Sequence, residues 1–399
     1  MSDGQNDALP TAVRAHFTAD ETSTLIDLRR DLHAHPELSW KEVRTQARLE
    51  DVLHGAGIRD VRRVARTGLV ARIPGRLPGT PVIALRGDID ALPIHEATGL
   101  PYTSRHPGVM HACGHDVHAS WAVGAALLLH RTPADGDVLV VLQPAEEVGQ
   151  GAAEVLASGA LEGVRAIFGA HVDRRFEVGQ VVAQPGPLAA STDTFTITLT
   201  GEGAHGARPH ESADPVVGLA ALITALQTII SRRLDPAQPG VVTVGVVEAG
   251  TASNIIPESA TMHGTVRATT GAARDLIVGE VDRLSFAIAA AYRLQAIVAW
   301  GERTPPVVNS PDGAQWAIEA ATRILGSDAV VPLGTTNMGG EDFAFYLERI
   351  PGCFLRIGAR EPGGEVIAAH SPRFEAAEDS LLIGAAVLAE CARVASRAP

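Results

Sequence analysis

The order of predicted strands and helices between residues 192 and 300 constrains the fold of this chain more than any other feature. Alternating apolar and polar residues predict four strands, at 192–201, 240–250, 260–269 and 294–300. Apolar segments of helical length lie between them, at 215–231 and 273–292. The order strand-helix-strand-strand-helix-strand is that of the ferredoxin-like split unit. We therefore predict an inserted domain over residues 189–303.

Strands and helices alternate on both sides of this insertion, as in an α/β protein. Strands are predicted at 68–74, 81–90, 137–144, 165–172 and 353–358. Helices are predicted at about 115–130, 149–158, 313–326 and 375–395. A chain of 399 residues is also longer than one hydrophobic core usually supports. The prediction is α/β: a larger, discontinuous domain of residues 1–188 and 304–399, with a mixed sheet flanked by helices, plus the inserted domain.

Charge and cysteine content exclude several classes of protein. The formal net charge of −13 repels a phosphate backbone, so no nucleic-acid partner is expected. The three cysteines, Cys113, Cys353 and Cys391, have no disulfide-like spacing, which favours a reducing cytoplasm. The N-terminal segment is polar and acidic, and no apolar stretch approaches the roughly 20 residues of a membrane helix. We expect a soluble, cytoplasmic protein with no membrane partner.

Residues that can bind metal follow three predicted strands and open one predicted helix. The strand ends carry "RGDIDALP" (86–93), "QPAEEVG" (143–149) and "GAHVD" (169–173), and the helix opens with "MHACGHDVH" (110–118). Open α/β sheets place their sites at the carboxyl ends of strands. Metal sites need several imidazole, thiolate or carboxylate groups held together. The pattern predicts a metal site at this edge of the sheet.

Each of these motifs, taken alone, also has an ordinary structural interpretation. The histidine and cysteine cluster is compatible with a solvated helix start, and Glu146 with Glu147 is compatible with the acidic first turn of a helix. His171 suits a core histidine, and His370 suits the neighbourhood of a helix start. The glycine-led segment 339–346 suits an active-site loop or an N-cap. Their joint occurrence is what favours the metal site.

Eight motifs in this order resemble one family of enzymes: "LRRDLHAHPELSWKE", "LRGDIDALPI", "MHACGHDVHAS", "QPAEEVGQGA", "GEGAHGARPHESADP", "GTASNIIPESATMHGTVR", "GGEDFAFY" and "AAHSPRFEAAED". The chain resembles metal-dependent amidohydrolases of the aminoacylase and carboxypeptidase-G superfamily. Within it, the resemblance is to bacterial N-acyl-amino-acid (hippurate) hydrolases and plant auxin-conjugate hydrolases. It extends from about residue 25 to 395.

The resemblance implies a centre of two divalent metal ions per subunit, of zinc, manganese, cobalt or nickel. The implied metal ligands are Cys113, His115, Glu147, His171 and His370. Metal ions polarise a scissile carbonyl and lower the pKa of water.

The resemblance also implies two carboxylates with other roles. Glu146 would be the general base, taking a proton from the attacking water and passing it to the leaving amine. Asp90 would orient a histidine ligand. Many members of the wider superfamily have a histidine two residues before that aspartate, where this chain has Asp88 and the branch supplies Cys113 instead. Whether Asp88 contacts metal stays open.

From the inserted domain, the resemblance implies that His205 stabilises the oxyanion, while Asn254 and Arg267 bind the substrate carboxylate. The planar guanidinium of arginine suits a carboxylate because it donates two parallel hydrogen bonds. Asn254 as a turn residue and Arg267 as a solvated strand residue are the alternatives. Supporting or structural roles are expected for the remaining histidines and cysteines of these motifs: His111, His118, His210, Cys353 and Cys391.

The function predicted from the sequence is hydrolysis of the amide bond of a small-molecule N-acyl amino acid, giving a carboxylic acid and a free amino acid. The enzyme would act as a homodimer through the inserted domain, which would also be a lid. A dipeptidase, or an aminohydrolase releasing ammonia from an aromatic amine, would use the same site. A metal-binding protein without catalysis is the third alternative.

Overall fold

The computed structural model describes residues 11–398. Its helices are α1 Thr11–Arg14, α2 Ala19–Ala34, α3 Val43–Gly55, α4 His115–Arg131, α5 Gly151–Ala157, α6 Pro215–Thr228, α7 Gly271–Ala291, α8 Pro311–Leu325, α9 Ala344–Leu347 and α10 Asp379–Arg397. Its strands are β1 Val61–Val64, β2 Gly68–Ile73, β3 Val82–Asp88, β4 Val138–Gln143, β5 Val164–Glu177, β6 Val181–Val182, β7 Gly186–Ala189, β8 Thr192–Thr200, β9 Ala204–His205, β10 Gly240–Ala249, β11 Ile255–Ile256, β12 Ser259–Ala268, β13 Gln295–Thr304, β14 Val307–Asn309 and β15 Gly352–Arg360.

Contacts between backbone segments divide the chain into two compact units. Of the described residues, unit 1 contains those up to Gly186, then Asn309–Gly334, and those from Asp342 onward. Unit 2 contains Pro187–Val308 and Thr335–Glu341.

Unit 1 is built on a seven-stranded mixed sheet in the order β1-β2-β4-β3-β5-β15-β6. Strands β4, β3, β5 and β15 run parallel, whereas β1, β2 and β6 pair antiparallel at the two sides. The strands β3 and β4 are almost wholly buried, and their sequences "VIALRGD" and "VLVVLQ" are continuous apolar runs until their last residues. Such runs are typical of central parallel strands covered on both faces. The predicted α/β class and mixed sheet are confirmed.

Helix α4 packs against the sheet and against the helices α2 and α10, so nearly all of it is buried. Its close packing needs small residues, because a Cβ on Gly384 of α10 would lie 2.2 Å from the ring of Trp121. The helix begins after Gly114, whose φ of +90° is a left-handed conformation that glycine adopts without strain. That bend places Cys113 before the helix and His115 at its first residue.

Unit 2 contains β8, α6, β10, β12, α7 and β13 in that order along the chain. Its four-stranded sheet has the order β10-β12-β8-β13, and all neighbours are antiparallel. Strand β8 alternates buried and half-buried residues, as expected of a sheet with one covered face. The covering helices contribute an apolar core that includes Leu222, Leu226, Ile277 and Val281.

One segment of unit 2 corrects an expectation from the sequence. Pro215–Arg233 forms a continuous helical segment of 19 residues that is long and apolar enough, by length and composition, to cross a membrane. The statement that no apolar stretch approaches that length was therefore wrong. Core helices of globular domains pass the same test, and α6 buries Leu219, Leu222 and Leu226 in the unit 2 core.

Candidate metal centre

The parallel strands of unit 1 bring the predicted metal-binding residues to one edge of the sheet. Asp88 ends β3, Glu146 and Glu147 follow β4, and His171 lies in β5. These strands are neighbours in the order β4-β3-β5, so their carboxyl ends lie side by side. The start of α4 adds two further groups to the same place.

Three of the predicted metal ligands have their ligand atoms close together. The ligand atoms of Cys113, His115 and His171 lie within 4.8 Å of one another. The Sγ atom of Cys113 is 3.2 Å from Nε2 of His171. Sulfur and imidazole nitrogen at this spacing form a donor set suited to zinc and similar metals.

Hydrogen bonds on the far sides of the two rings set their orientation. Nδ1 of His115 donates to the carbonyl oxygen of Asp90 at 2.9 Å and lies 3.2 Å from its carboxylate oxygen Oδ1. Nδ1 of His171 donates to the carbonyl oxygen of Val172 at 2.6 Å. In both rings, Nε2 is therefore the atom left to face the cluster. This is the arrangement found around histidine ligands of metals.

Asp90 also organises the carboxylate side of the cluster. Its Oδ2 atom accepts from the hydroxyl of Ser39 at 2.7 Å and from the backbone N–H of Glu147 at 3.0 Å. The buried Asp90 carboxylate thus contacts both His115 and the backbone of Glu147, one of the paired glutamates. Asp90 therefore contacts the groups that an orienting residue would hold.

The two adjacent glutamates make different contacts. Glu147 shares a cluster with Cys113 and His370, and its Oε2 atom is 3.5 Å from Nε2 of His370. Oε1 of Glu146 accepts from the backbone N–H of Asp342 at 3.4 Å, and its Oε2 is 3.8 Å from Nε2 of His115.

The turn before this pair is strained, because Ala145 has a φ of +53° without being glycine. The backbone N–H of Ala145 donates to Oε1 of the buried Glu42 at 2.9 Å, and the hydroxyl of Thr67 donates to its Oε2 at 2.6 Å. Glu42 therefore holds the turn that presents the glutamate pair. Burial raises the pKa of the Glu42 carboxyl.

His370 reaches the cluster from a separate loop. Its backbone has a φ of +66°, a left-handed conformation that histidine adopts more readily than most residues. Its N–H donates to the carbonyl oxygen of Ala112 at 2.8 Å, which ties the loop to the segment that carries Cys113. Its side chain is about half exposed, unlike the other members of the cluster.

Burial and neighbouring charges favour the protonated forms of several side chains in the cluster, and a bound metal cation would displace these protons. Burial raises the pKa of Glu147 to about 7 and raises that of the Cys113 thiol well above its usual range. Burial lowers the pKa of His115, but the Asp88 carboxylate and the hydrogen bond to Asp90 outweigh burial and hold that pKa well above its usual range. Metal binding to such groups displaces these protons.

Two buried atoms of the cluster show that the residues fit a metal ion. Within residues 11–398, neither Nε2 of His115 nor Oε1 of Glu147 has a hydrogen-bond partner. Unpaired buried polar atoms cost free energy, and a bound ion is one way in which such atoms gain a partner. Nitrogen, sulfur and carboxylate oxygen together accept the divalent transition metals.

Asp88 lies at the cluster but has other partners. Its Oδ2 atom accepts from the fully buried guanidinium of Arg86, and its Oδ1 accepts from Nδ1 of His118 at 2.7 Å. Burial raises the pKa of Asp88, but Arg86, His115 and His118 outweigh burial and hold it well below its usual range. Both oxygens of the Asp88 carboxylate therefore already accept hydrogen bonds from protein groups.

The predicted substrate residues lie in unit 2. His205 ends β9, whose pairing with β11 brings Asn254 next to it: the N–H of Gly206 donates to the Asn254 carbonyl oxygen at 2.8 Å. Arg267 lies on β12 and donates to the hydroxyl of Thr192. His205 and Asn254 are therefore brought together, and Arg267 occupies a separate strand of the same unit.

Sequence reasoning missed the supporting residues of the centre. Ser39 and Glu42 lie within the quoted motif "HPELSWKE", yet nothing local assigns them a partner. Asp342 lies in the glycine-led segment 339–346, and its carboxylate accepts from Arg86 at 2.9 Å and from Nε2 of Gln143 at 2.9 Å. The available signal was the position of charged residues inside apolar surroundings, as at Arg86 in strand β3.

Comparisons with known proteins place the chain in a family. The model of the family described as Peptidase family M20/M25/M40 matches residues 84–394. The chain is 43% identical over 372 residues to N-acetylcysteine deacetylase of Bacillus subtilis (strain 168), covering 92% of this chain and 96% of that protein. It is 37% identical over 374 residues to IAA-amino acid hydrolase ILR1-like 2 of Arabidopsis thaliana, covering 92% of this chain and 84% of that protein.

A solved structure shows the same fold. The crystal structure of the YXEP protein of Bacillus subtilis, described as a dinuclear metal binding peptidase from the M20 family, superimposes with a TM-score of 0.83. The two chains are 38% identical, and the match covers 95% of this chain and 99% of that one. The resemblance inferred from the eight motifs is confirmed. By its family match and by these relatives, the chain belongs to peptidase family M20/M25/M40.

Proposed function

We propose that this chain hydrolyses the amide bond of N-acyl amino acids at a centre of two divalent metal ions held by Cys113, His115, Glu147, His171 and His370. The chain is a metal-dependent amidohydrolase, as its family and its relatives show. The observation that carries the ligand assignment is the convergence of these five side chains around Nε2 of His115 and Oε1 of Glu147, two buried atoms 3.7 Å apart that have no hydrogen-bond partner within residues 11–398.

Two bound divalent ions would supply polarisation of the scissile carbonyl and a lowered pKa for the attacking water. The mixed sulfur, nitrogen and oxygen donors support zinc, manganese, cobalt or nickel. We assign no metal contact to Asp88, because Arg86 and His118 already donate to its two oxygens.

Glu146 is the proposed general base. Its carboxylate lies beside the cluster but outside the Cys113 and His370 group, and the N–H of Asp342 holds one oxygen. The second oxygen can accept a proton from the attacking water and carry it to the leaving amine. Asp90 holds His115 in the orientation that the centre needs.

Unit 2 is the proposed source of substrate recognition. We assign oxyanion stabilisation to His205 and binding of the substrate carboxylate to Asn254 and Arg267. The order of its strands and helices supports a ferredoxin-like domain of residues 189–303, with residues 1–188 and 304–399 forming the catalytic domain. A lid and homodimer role for this domain, and a cytoplasmic location, are parts of the same proposal.

Metal removal and restoration test the activity. Chelator-treated protein should lose turnover of acetyl, benzoyl, long-chain acyl and indoleacetyl amino acids, and one or more of the four metals should restore it. Release of a free amino acid supports the proposal, whereas release of ammonia from an aromatic amine points to the aminohydrolase alternative. Full activity after complete metal removal would contradict the metal-dependent mechanism.

The Glu146→Gln variant tests the base. It keeps the shape of the side chain but cannot accept the proton, so we expect kcat to fall by about 10²- to 10⁴-fold. Metal content, measured by mass spectrometry, should stay that of the wild type. The matched control is Glu154→Gln, an exposed glutamate of α5 whose change should leave kcat unaltered.

A further inference from the structure

His118 lies one helical turn after His115 on α4, and its ring is fully buried beside the proposed metal ligands. The donor atoms of Asp88, His115 and His118 lie within 4.8 Å of one another, so by proximity alone His118 qualifies as a ligand. Its hydrogen bonds assign it a different role.

Both ring nitrogens of His118 are engaged by protein atoms. The backbone N–H of Val172 donates to Nε2 at 2.9 Å, so this nitrogen is the acceptor and carries no proton. The ring proton is therefore on Nδ1, which donates to Oδ1 of Asp88 at 2.7 Å. A neutral imidazole with both nitrogens used in this way has no lone pair left for a metal.

The bond to Asp88 continues into a buried chain of donors and acceptors. The second oxygen of Asp88 accepts from Arg86, which also donates to Gln143 at 2.8 Å and to Asp342 at 2.9 Å. Every one of these side chains is buried. A buried network whose members are all paired holds its groups firmly, because any displacement leaves a polar atom without a partner.

The other end of the chain is the peptide that follows His171. The N–H of Val172 is held by His118, and the carbonyl oxygen of Val172 accepts from Nδ1 of His171 at 2.6 Å. The same residue thus joins the two rings through its two backbone groups. Stacking on Trp121, with ring centroids 4.7 Å apart, further fixes the plane of His118.

We propose that His118 is a positioning residue that holds the Val172 backbone, and through it directs Nε2 of His171 toward Cys113. The inference rests on the proposed function in taking His171 as a metal ligand. Without the hydrogen bond from Val172 to His118, the His171 ring can turn away from Cys113. Mutation of residues that position metal ligands in this way typically lowers metal affinity by about 10- to 100-fold.

Two variants of His118 each remove one of the two hydrogen bonds that its ring makes. In His118→Asn, the amide nitrogen stands near Nδ1 and can donate to Asp88, but no atom reaches the N–H of Val172. In His118→Gln, the amide oxygen stands near Nε2 and can accept from Val172, while Asp88 loses its donor. Leu129→Ala, a buried change at the far end of α4, is the control for a general loss of stability.

Cobalt binding and hydrogen exchange measure the effect in the full chain. Competition against a chelator gives the Co²⁺ affinity, titration at saturating Co²⁺ gives the stoichiometry, and near-ultraviolet absorption reports cobalt bound to the Cys113 thiolate. Exchange of the Val172 amide is followed in the metal-free chain. We expect His118→Asn to weaken Co²⁺ binding about 10- to 100-fold, with unchanged stoichiometry and faster Val172 exchange.

His118→Gln should retain more of the Co²⁺ affinity and of the Val172 protection than His118→Asn, and Leu129→Ala should leave both near the wild type. Affinity and protection unchanged in His118→Asn would overturn the inference. Loss of one bound Co²⁺ at saturation would make His118 a ligand and would overturn it too. Failure of the wild type to bind metal would instead refute the proposed function, while the Val172 exchange would still test the hydrogen bond from His118.

Discussion

From the contacts of the buried His33 ring, we predict that the free energy of unfolding of unit 1 falls between pH 6.5 and pH 9. His33 lies on α2, and its two nitrogens face two carboxylates: Nδ1 is 2.8 Å from Asp116 and Nε2 is 3.1 Å from Glu96. Since carboxylates only accept, both nitrogens must donate and the ring is an imidazolium. Burial lowers the pKa of His33, but Asp116 and the hydrogen bonds to Asp116 and Glu96 outweigh burial and raise it to about 9.

The magnitude follows from the difference between the folded and unfolded pKa values. A rise from 6.5 to about 9 corresponds to about 3 kcal/mol of free energy of unfolding, at 1.36 kcal/mol per unit. Because the folded pKa is the higher one, this contribution is fully present below pH 6.5 and is lost as the pH rises through 9. Burial raises the pKa of Glu96, but hydrogen bonds from His33 and Thr98 lower it to about 2. Because the lowered pKa of Glu96 reflects the same contacts, its free energy is not added to that of His33.

Urea unfolding of wild type and His33→Gln tests this prediction. The chelator-treated proteins are compared at pH 6 and pH 9.5 by tryptophan fluorescence, because three of the four tryptophans, Trp40, Trp121 and Trp316, lie in unit 1. The difference in free energy of unfolding between the two proteins should fall by about 3 kcal/mol over this range. His210→Gln, a change at an exposed histidine, is the control and should alter the free energy of unfolding by at most about 0.5 kcal/mol. A difference for His33→Gln that is equal at both pH values would refute the reasoning.

Three further changes test the centre and its supports. Cys113→Ser should lower metal occupancy, measured by mass spectrometry, while the circular dichroism of the metal-free protein stays unchanged, because the buried side chain is a proposed ligand and is not part of the main apolar core of unit 1. Asp90→Asn should weaken metal binding about 10- to 100-fold in a chelator competition, since the histidine it holds loses its charged acceptor. Gly114→Ala should lower the melting temperature far more than Gly163→Ala: both glycines have positive φ, but only at Gly114 would the new Cβ lie 2.5 Å from Val172.

Local patterns predict most of the fold because the main elements have strong periodicity. The strands β3 and β4 and the helix α4 occur within two residues of the predicted ends. Strand β5 extends to Glu177, well past the predicted end at 172, because it continues to pair with β15 through Arg360. Residues 335–341 join unit 2 partly through a bridge between Ala189 and Asn337, and a contact between residues so far apart leaves no local pattern.

The centre was predictable as a set of residues but not as a set of contacts. Strand ends and the resemblance together indicate which side chains meet. The partners that hold them come from distant segments: Ser39 bonds Asp90 across 51 residues, and Glu42 bonds Ala145 across 103. Neither pairing has a sequence spacing that repeats in helices or strands, so only the tertiary structure reveals it.

The three histidines of "MHACGHDVH" show what decides whether a histidine can bind metal. By spacing alone they are equivalent, and only the family resemblance distinguished them; in the structure, His115 has one nitrogen held by Asp90, and the other has no hydrogen-bond partner within residues 11–398, as metal binding requires. His118 has both nitrogens bonded, which is the state of a support. His111 is buried with neither nitrogen bonded within residues 11–398, and burial lowers its pKa to about 4, so it stays neutral. Because all three lie within eight residues, spacing cannot separate these roles, whereas the hydrogen bonds of the ring nitrogens distinguish His115 from His118.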